Sequence, residues 1–409
     1  MNPSAYWLTN VTLETGYELQ DGIVSDTHTD TFHIRIEHKQ IKEILSAQEV
    51  ITSNLPTYNA EKYLMLPSFR DMHIHLDKTY YGGQWKAPTT PKNGIWSRLQ
   101  EEEKLIPQLR PQATDRAKKL MDLLLSNGTT HIRSHCNIGP VEGLQNLEAL
   151  LRAREAYQDK TSVEIVAFPQ QGLLRSNAAS FVRDALQNGA NYVGAVDPAT
   201  IDGNMEKSLQ TMMELAVEGD ANIDIHLHEP GHLGIFTMKR LAALTEEAGW
   251  QGRVTLSHAF ALADIQGNEL DEMAEMLAQQ HISIASSVSL SKTIPIPFLH
   301  EKGVEVFLGD DSITDHWSPF GKGDSLEKAG LLAERFGLSD EHALAQTLQY
   351  ITGGITPLDD KGKQVWPKQG DAANFVLVDA SCSAEAVARR SNRKAVFYQG
   401  KQVIGDLLP

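Results

Sequence analysis

The chain has 409 residues, of which 41% are hydrophobic and 22% charged, and its formal net charge at pH 7 is −16. This composition supplies a large apolar core, and the acidic balance disfavours nucleic acid and anionic membranes as partners because phosphate contacts need clustered Lys and Arg. The two cysteines, Cys136 and Cys382, cannot form a disulfide framework. No apolar run approaches the ~20 residues of a membrane-spanning helix, so we expect a cytoplasmic protein.

Short strand-like segments open and close the chain. In chain order they are Tyr6–Leu13, Thr31–Ile36, Ile41–Leu45, Asn374–Val378 and Ala395–Gln399. Gly, Asp and Asn turns separate the first three, and neither end of the chain could bury a sheet face alone. We therefore predict that residues 1–65 and 360–409 pair into one small β-sandwich module.

Residues 66–359 alternate between strand-like and helical patterns. The eight strand-like runs are Asp71–Leu76, Thr130–His135, Val163–Phe168, Tyr192–Val196, Ile223–His228, Val254–His258, Ile282–Val288 and Val304–Leu308. Amphipathic helical segments between them include Ala113–Ser126, Asn146–Tyr157, Ser208–Glu218 and Glu269–Gln280. Eight consecutive strand–helix units predict an α/β fold, a closed (β/α)₈ TIM-like barrel. A doubly wound open sheet is the alternative, but no GxGxxG follows the first strand.

Histidine and aspartate residues fall at the carboxyl ends of these runs, where barrel active sites are built. His73 and His75 share one strand face because they are two residues apart. His226 in the fifth run and Asp310 after the eighth run would complete a metal site. A lone HxH is weak evidence and a strand-end Asp is commonly a helix cap, but the joint placement predicts one divalent ion. Nitrogen and oxygen ligands suit Zn²⁺ or Fe²⁺, which would activate water.

Several longer segments carry a family resemblance. They are LPSFRDMHIHLDKT (66–79), VAFPQQG (166–172), VGAVDPA (193–199), IDIHLHEPG (223–231), LSHAF (256–260) and GDDSITDHWSPFGKGD (309–324). In these segments the chain resembles the amidohydrolase superfamily and, within it, the cytosine deaminase-like group. The resemblance spans nearly the whole barrel in the same order.

The resemblance implies a role for each matching residue. It implies metal ligation by His73, His75, His226 and Asp310, proton shuttling by Glu229, orientation of the hydroxide by His258, and substrate contacts by Gln170, Asp311 and Trp317. In these roles Gln170 would bond a substrate carbonyl, Asp311 the exocyclic amine, and Trp317 would stack on a flat ring. The matching residues therefore imply hydrolytic removal of an exocyclic amine from a heterocycle.

The chain also departs from cytosine deaminase. His228 stands where that enzyme has another residue, and Lys78 replaces a small polar residue, so these details resemble N-isopropylammelide amidohydrolase more closely. We expect His228 on the substrate side, and we leave open whether His135 is a further ligand or a pocket wall. The run Tyr192–Val196 is followed by Asp197 and no lysine, which favours one metal ion over a lysine-bridged pair.

The sequence thus predicts a metal-dependent deaminase that acts on a cytosine-like N-heterocycle. The alternative is an N-alkyl ammelide amidohydrolase that releases an alkylamine. Two rivals are ring-opening amide hydrolysis, which the missing lysine disfavours, and a non-catalytic barrel scaffold, which has no chemical need for the whole residue set. The expected partner is a small heterocyclic substrate, with neither nucleic acid nor membrane, and the resemblance implies a homo-oligomer.

Overall fold

A computed structural model of the protein describes residues 3–408, which form two eight-stranded sheets and surrounding helices. The strands are β1 (Ala5–Gln20), β2 (Ile23–Glu37), β3 (Gln40–Ser46), β4 (Thr57–Asn59), β5 (Leu64–Pro67), β6 (Phe69–Ile74), β7 (Thr129–Asn137), β8 (Ser162–Phe168), β9 (Tyr192–Val196), β10 (Asn222–His226), β11 (Val254–Ser257), β12 (Ser283–Ser286), β13 (Val306–Leu308), β14 (Phe375–Val378), β15 (Arg393–Tyr398) and β16 (Lys401–Ile404). The division into two sheets follows the chain: its middle builds one and its two ends build the other.

The helices lie mostly between the strands of the middle region. They are α1 (Gly94–Leu109), α2 (Ala113–Ser126), α3 (Gln145–Tyr157), α4 (Ala179–Gln187), α5 (Met205–Glu218), α6 (Gly231–Ala248), α7 (Asn268–Gln279), α8 (Ile296–Glu301), α9 (Ser325–Phe336), α10 (Glu341–Gln346), α11 (Gln349–Thr352) and α12 (Ser383–Arg389). Their apolar stripes face the sheet, as with Leu120 and Leu124 of α2. The side chain of Asp324 caps α9 by accepting a hydrogen bond from the backbone N–H of Leu326.

The middle sheet is a closed parallel barrel. Strands β6 to β13 pair in chain order, and hydrogen bonds beyond the end of β13 close the ring onto β6. The backbone N–H of Asp311 donates to the His73 carbonyl at 2.7 Å, and the N–H of His75 donates to the Asp311 carbonyl at 3.3 Å. The predicted TIM-like barrel is confirmed, and the open sheet is excluded.

Several barrel strands end earlier than the sequence pattern predicts, among them β10, β11 and β12. Strands β10, β11 and β12 stop before His228, His258 and Val288, although these residues continue the apolar or alternating pattern. His258 and Val288 have φ angles of 72° and 53°, a left-handed backbone that cannot continue a strand. The residues after each strand therefore form the loops at the carboxyl end of the barrel.

The second sheet joins the two ends of the chain, as predicted. Its strand order is β16-β15-β14-β5-β1-β2-β3, with β4 paired to β1. Both halves of this single sheet contribute to one apolar cluster, in which Tyr6 and Ile34 meet Phe375 and Phe397, whose rings stack at 4.3 Å. The first hairpin extends beyond the predicted Leu13 because backbone pairing continues past the end of its apolar pattern. The proposed domain boundaries stay a prediction.

Between residues 3 and 408, no helix combines the length and the apolarity that crossing a bilayer requires.

Candidate active site

Three histidines meet at the carboxyl end of the barrel. His73 and His75 lie at the end of β6 and His226 ends β10, and one ring nitrogen of each lies within 4.8 Å of those of the other two. All three side chains are buried. Within the described chain, Nε2 of His73 and both ring nitrogens of His226 make no hydrogen bond. Buried polar atoms without partners are costly, and nitrogen atoms converging in this way fit a divalent metal ion.

The surroundings keep the rings of His75 and His226 neutral, which is the form that binds metal. Burial, together with the positive charge of Lys78, lowers the pKa of His75 to about 3. Burial and the neighbouring histidines hold the pKa of His226 well below its usual value. Nδ1 of His73 lies 2.7 Å from Oγ of Ser257, which donates to Asp224 at 2.6 Å. These contacts, on the side of the ring away from the other ligand atoms, fix the orientation of the His73 imidazole.

The carboxylate that faces the histidines is Asp311. Its Oδ1 lies 3.4 Å from Nε2 of His73 and 3.5 Å from Nε2 of His75. Burial would raise the pKa of Asp311, but the close contacts with His73 and His75 outweigh burial and hold the pKa well below the usual value. The group is therefore a carboxylate, placed as a fourth metal ligand.

Asp310, which was predicted as the fourth ligand, points away from the three histidines in this structure. Its backbone N–H donates to Asp71 at 3.2 Å, and its Oδ1 lies 3.9 Å from Nζ of Lys328. Asp311 has a φ of 62°, a left-handed backbone conformation, and its side chain faces the histidines whereas that of Asp310 does not. The structure therefore exchanges the predicted places of Asp310 and Asp311.

His228 and His258 form the wall opposite β6, with ring centroids 4.5 Å apart. Nδ1 of His228 lies 2.9 Å from Oδ2 of Asp197, and its backbone N–H donates to Oδ1 at 2.6 Å. Burial alone would lower the pKa of His228, but the charge of Asp197 reverses this and the pKa is raised. Sequence reasoning noted Asp197 only as a position without lysine, although an acid at the end of the neighbouring strand was the available signal.

Glu229 does not lie in the pocket. Its Oε1 accepts hydrogen bonds from the backbone N–H groups of Ala199 at 2.9 Å and Thr200 at 2.7 Å, and its Oε2 accepts one from Thr237 at 3.0 Å. These bonds to the loop after β9 and to α6 hold the Glu229 carboxylate away from the pocket. The carboxylate of the predicted proton shuttle therefore connects the loop after β9 to α6 in this structure.

A cavity of about 70 Å³ adjoins the histidines. Its lining residues are His75, Lys78, Ile95, Gln170, His226, His228, His258, Asp311, Ser312 and Trp317. Buried Lys78 donates from Nζ to Gln170 Oε1 at 2.9 Å and to Glu102 Oε1 at 3.1 Å. Burial would lower the pKa of Lys78, but the charge of Glu102 and other nearby carboxylates raises it. Lys78 is therefore a charged part of the pocket that sequence reasoning did not assign, and the amide nitrogen of Gln170 is left for a substrate.

His135 lies one layer deeper than the pocket. Its ring is 4.3 Å from that of His73 and 4.4 Å from that of His226. Together with Asp224 and His73 it forms a further set of closely spaced ligand atoms. Asp224 already accepts hydrogen bonds from Arg133 at 3.2 Å and from a serine, so this layer supports the histidines above it.

Sequence comparison identifies close relatives. The chain is 46% identical to the uncharacterized protein YahJ of Escherichia coli (strain K12), over 98% of this chain and 88% of that protein. It is 30% identical to N-isopropylammelide isopropyl amidohydrolase of Pseudomonas sp. (strain ADP), over 85% of this chain and 88% of that enzyme. It is 25% identical to pterin deaminase of Rhizobium rhizogenes (strain K84 / ATCC BAA-868), over 90% and 86% of the two chains.

Comparison of whole structures gives a consistent result. N-isopropylammelide isopropylaminohydrolase of Burkholderia multivorans superposes with a TM-score of 0.85 at 28% identity and covers 98% of both chains. The family model for the amidohydrolase family matches residues 57–404, a range that contains the barrel strands and all the pocket residues above. The chain therefore belongs to the amidohydrolase family, as its motifs predicted. Members of the amidohydrolase superfamily are metal-dependent hydrolases that act on C–N bonds.

Proposed function

We propose that the protein hydrolyses the bond between a ring carbon of a planar N-heterocycle and its exocyclic amine. The observation that carries this proposal is the convergence of His73, His75, His226 and Asp311 on a small pocket walled by Trp317. The pocket has room for one flat ring, an aromatic wall on which it could stack, and donors at one side.

His73, His75, His226 and Asp311 would hold a single divalent ion, Zn²⁺ or Fe²⁺. Such an ion, when bound, lowers the pKa of water toward neutrality and so supplies a nucleophile. Asp197 stands after β9 where a bridging lysine would be needed for a second ion, which supports a mononuclear centre. A homo-oligomer and a small-molecule substrate remain predictions.

The protein side chains divide the proton transfers between them. Neutral His258 hydrogen-bonds the attacking water, and the Asp311 carboxylate accepts a proton from it. His228 donates a proton from Nε2 to the ring nitrogen, while Asp197 holds Nδ1 and stabilises the charged imidazole. The water oxygen bonds to the ring carbon, and the exocyclic C–N bond breaks as the amine leaves with the proton taken up by Asp311. The new hydroxyl group returns its proton to His228 as the ring carbonyl forms, which restores the charged imidazole.

Lys78 and Gln170 orient the ring before it reacts. Both present N–H groups to the pocket, and the hydrogen bond of 2.9 Å between them fixes the direction of the Gln170 amide. A substrate with a carbonyl oxygen or unprotonated ring nitrogen at this edge satisfies both donors. Trp317, 5.5 Å from the Lys78 ammonium, covers one face of the ring. Cytosine-like, triazine-like and pterin-like rings all offer such an edge.

The test is product release from metal-loaded protein on a panel of cytosine, 5-substituted cytosines, isoguanine, pterin, ammelide and N-alkyl ammelides. Ammonia and alkylamines would be assayed separately, with Zn²⁺ and Fe²⁺ loaded in parallel. We expect turnover on at least one ring, abolished in His73→Ala and largely retained in His300→Ala, which changes an exposed histidine of α8. Full metal occupancy with no product from any ring would contradict the proposal, and metal-free folded protein would favour a scaffold.

A further inference from the structure

A second cavity adjoins the substrate pocket. It has a volume of about 580 Å³, against about 70 Å³ for the pocket beside the histidines, and the two share Asp311, Ser312 and Trp317. The loop after β12, the loop after β13 and helix α9 form its walls. Because a flat ring already fills the smaller space, the larger one is available to a group attached to that ring.

The position of this cavity identifies which part of the substrate would enter it. Gln170 and Lys78 anchor one edge of the ring, and neither lines the second cavity. Asp311, which borders both spaces, gives its proton to the departing amine in the proposed function. A substituent on the departing nitrogen would therefore pass between Ser312 and Trp317 directly into the larger cavity.

The lining indicates the chemistry of that substituent. Hydroxyl groups come from Ser287, Ser289, Ser291, Ser312 and Ser318. The ammonium of Lys328 lies 3.9 Å from the Asp310 carboxylate and donates to the Ser287 carbonyl at 3.2 Å, so these two charges compensate each other. Asp311 is the remaining carboxylate of the lining, and it stands where the cavity meets the substrate pocket. At the rim, Leu290 and Phe320 are 68% and 77% exposed. A neutral chain that begins with carbon and carries hydroxyl groups matches both the rim and the interior.

The backbone of the loop supports a binding role. Val288 has a φ of 53°, a left-handed conformation that is strained for a β-branched residue. Its backbone N–H donates to the Ser286 hydroxyl at 3.2 Å, which helps to hold it there. Strained backbone is concentrated at binding and catalytic sites, and here it turns the run of serines toward the cavity.

We infer that the natural substrate carries a short hydroxylated chain on its departing nitrogen, so that the second product is a hydroxylated primary amine. This inference rests on the proposed function and specifies its substrate class. Water supplies the oxygen that becomes the ring carbonyl, the C–N bond breaks, and the amine leaves with the hydrogen it gains from water. No other reactant is consumed.

The test compares one ring with three amines: ammelide, N-isopropylammelide and N-(2,3-dihydroxypropyl)ammelide, with the amine product identified by mass spectrometry. We expect kcat/KM for the dihydroxypropyl compound to exceed that for each of the others by about ten-fold or more. Leu290→Trp, which fills the rim, should lower this value about ten-fold more than it lowers the value for ammelide. Leu19→Trp is the matched control, because Leu19 is 64% exposed at the tip of the β1–β2 hairpin.

The possible failures are distinguishable. Equal or faster turnover of ammelide, or equal losses on both substrates in Leu290→Trp, would overturn the inference and leave the proposed function standing. Equal rates for the isopropyl and dihydroxypropyl compounds would overturn the assignment of a hydroxylated chain. No turnover of any ring by fully metal-loaded protein would remove the proposed function and this inference with it.

Discussion

The active site contains two His-x-His pairs that have the same spacing and different electrostatics. His73 and His75 flank the last residue of β6, and His226 ends β10 with His228 in the loop that follows. Burial lowers the pKa of His75 and His226, whereas Asp197, 2.9 Å from His228, raises the pKa of that ring despite its burial. The spacing of a pair sets only the direction in which its side chains point. A residue on the neighbouring strand then decides whether a ring is a neutral ligand or a proton carrier.

The largest expected effect comes from removing a neutral ring. His226→Ala removes one of the three histidine nitrogens that would hold the metal ion. We therefore expect loss of bound metal and a fall in kcat/KM of about a thousand-fold or more. Elemental analysis and steady-state kinetics measure the two effects. His228→Gln in the same pair should keep its metal, and equal metal loss in both variants would remove the distinction between the rings.

The next comparison is between the kcat losses of two variants, Asp311→Asn and Asp310→Asn. Asp311 faces His73 and His75, whereas Asp310 contacts Asp71 and Lys328. We expect Asp311→Asn to lower kcat about a thousand-fold because the ligand and proton acceptor are lost together. Asp310→Asn should stay within about ten-fold of the unchanged protein, as is typical of groups that support a ligand. A larger kcat loss in Asp310→Asn than in Asp311→Asn would support the sequence-based prediction that Asp310 is the metal ligand.

A smaller loss is expected from the proton carrier itself. His228→Gln and Asp197→Asn should each lower kcat about a hundred-fold while metal content is unchanged. The double variant should be little worse than either single one, because the two residues act as a unit. Glu229→Gln is the matched acid variant outside the pocket, and a kcat loss equal to that of His228→Gln would return the proton-carrier role to Glu229.

Sequence patterns predicted the barrel, the sheet from both chain ends and the inward direction of His73, His75 and His226. Alternation along a strand is a local property, so it can be read from one segment. The exchange of Asp310 and Asp311 could not be predicted, because it depends on the left-handed turn at Asp311. A pair of adjacent acids gives no sign of which member faces inward.

Contacts between distant segments were also beyond the sequence. Lys78 meets Gln170 across 92 positions, and His228 meets Asp197 across 31. Each of these residues stands near the end of a barrel strand or in the loop after it, but which ends are neighbours depends on barrel closure. The placement of Glu229 outside the pocket has a related reason, since the position of a residue in a motif does not specify its direction after the strand has ended.

Glu142, a buried acid outside the histidine pairs, tests whether the surroundings of a buried group also change the stability of the fold through its pKa. Glu142 is 3% exposed, its Oε1 has no hydrogen-bond partner within residues 3–408, and burial raises its pKa to about 7. The folded chain therefore binds this proton more tightly than the unfolded chain, and the resulting stabilisation is lost as the pH rises from the ordinary value near 4.5 to about 7.

Glu142→Gln cannot ionise, so at pH 8 its free energy of unfolding should exceed that of the unchanged protein by about 2 kcal/mol, with little gain at pH 4. Urea unfolding at both pH values measures the difference. Glu155→Gln, on the exposed face of α3, is the control, and the same pH dependence in all three proteins would mean that Glu142 has a partner or solvent access after all.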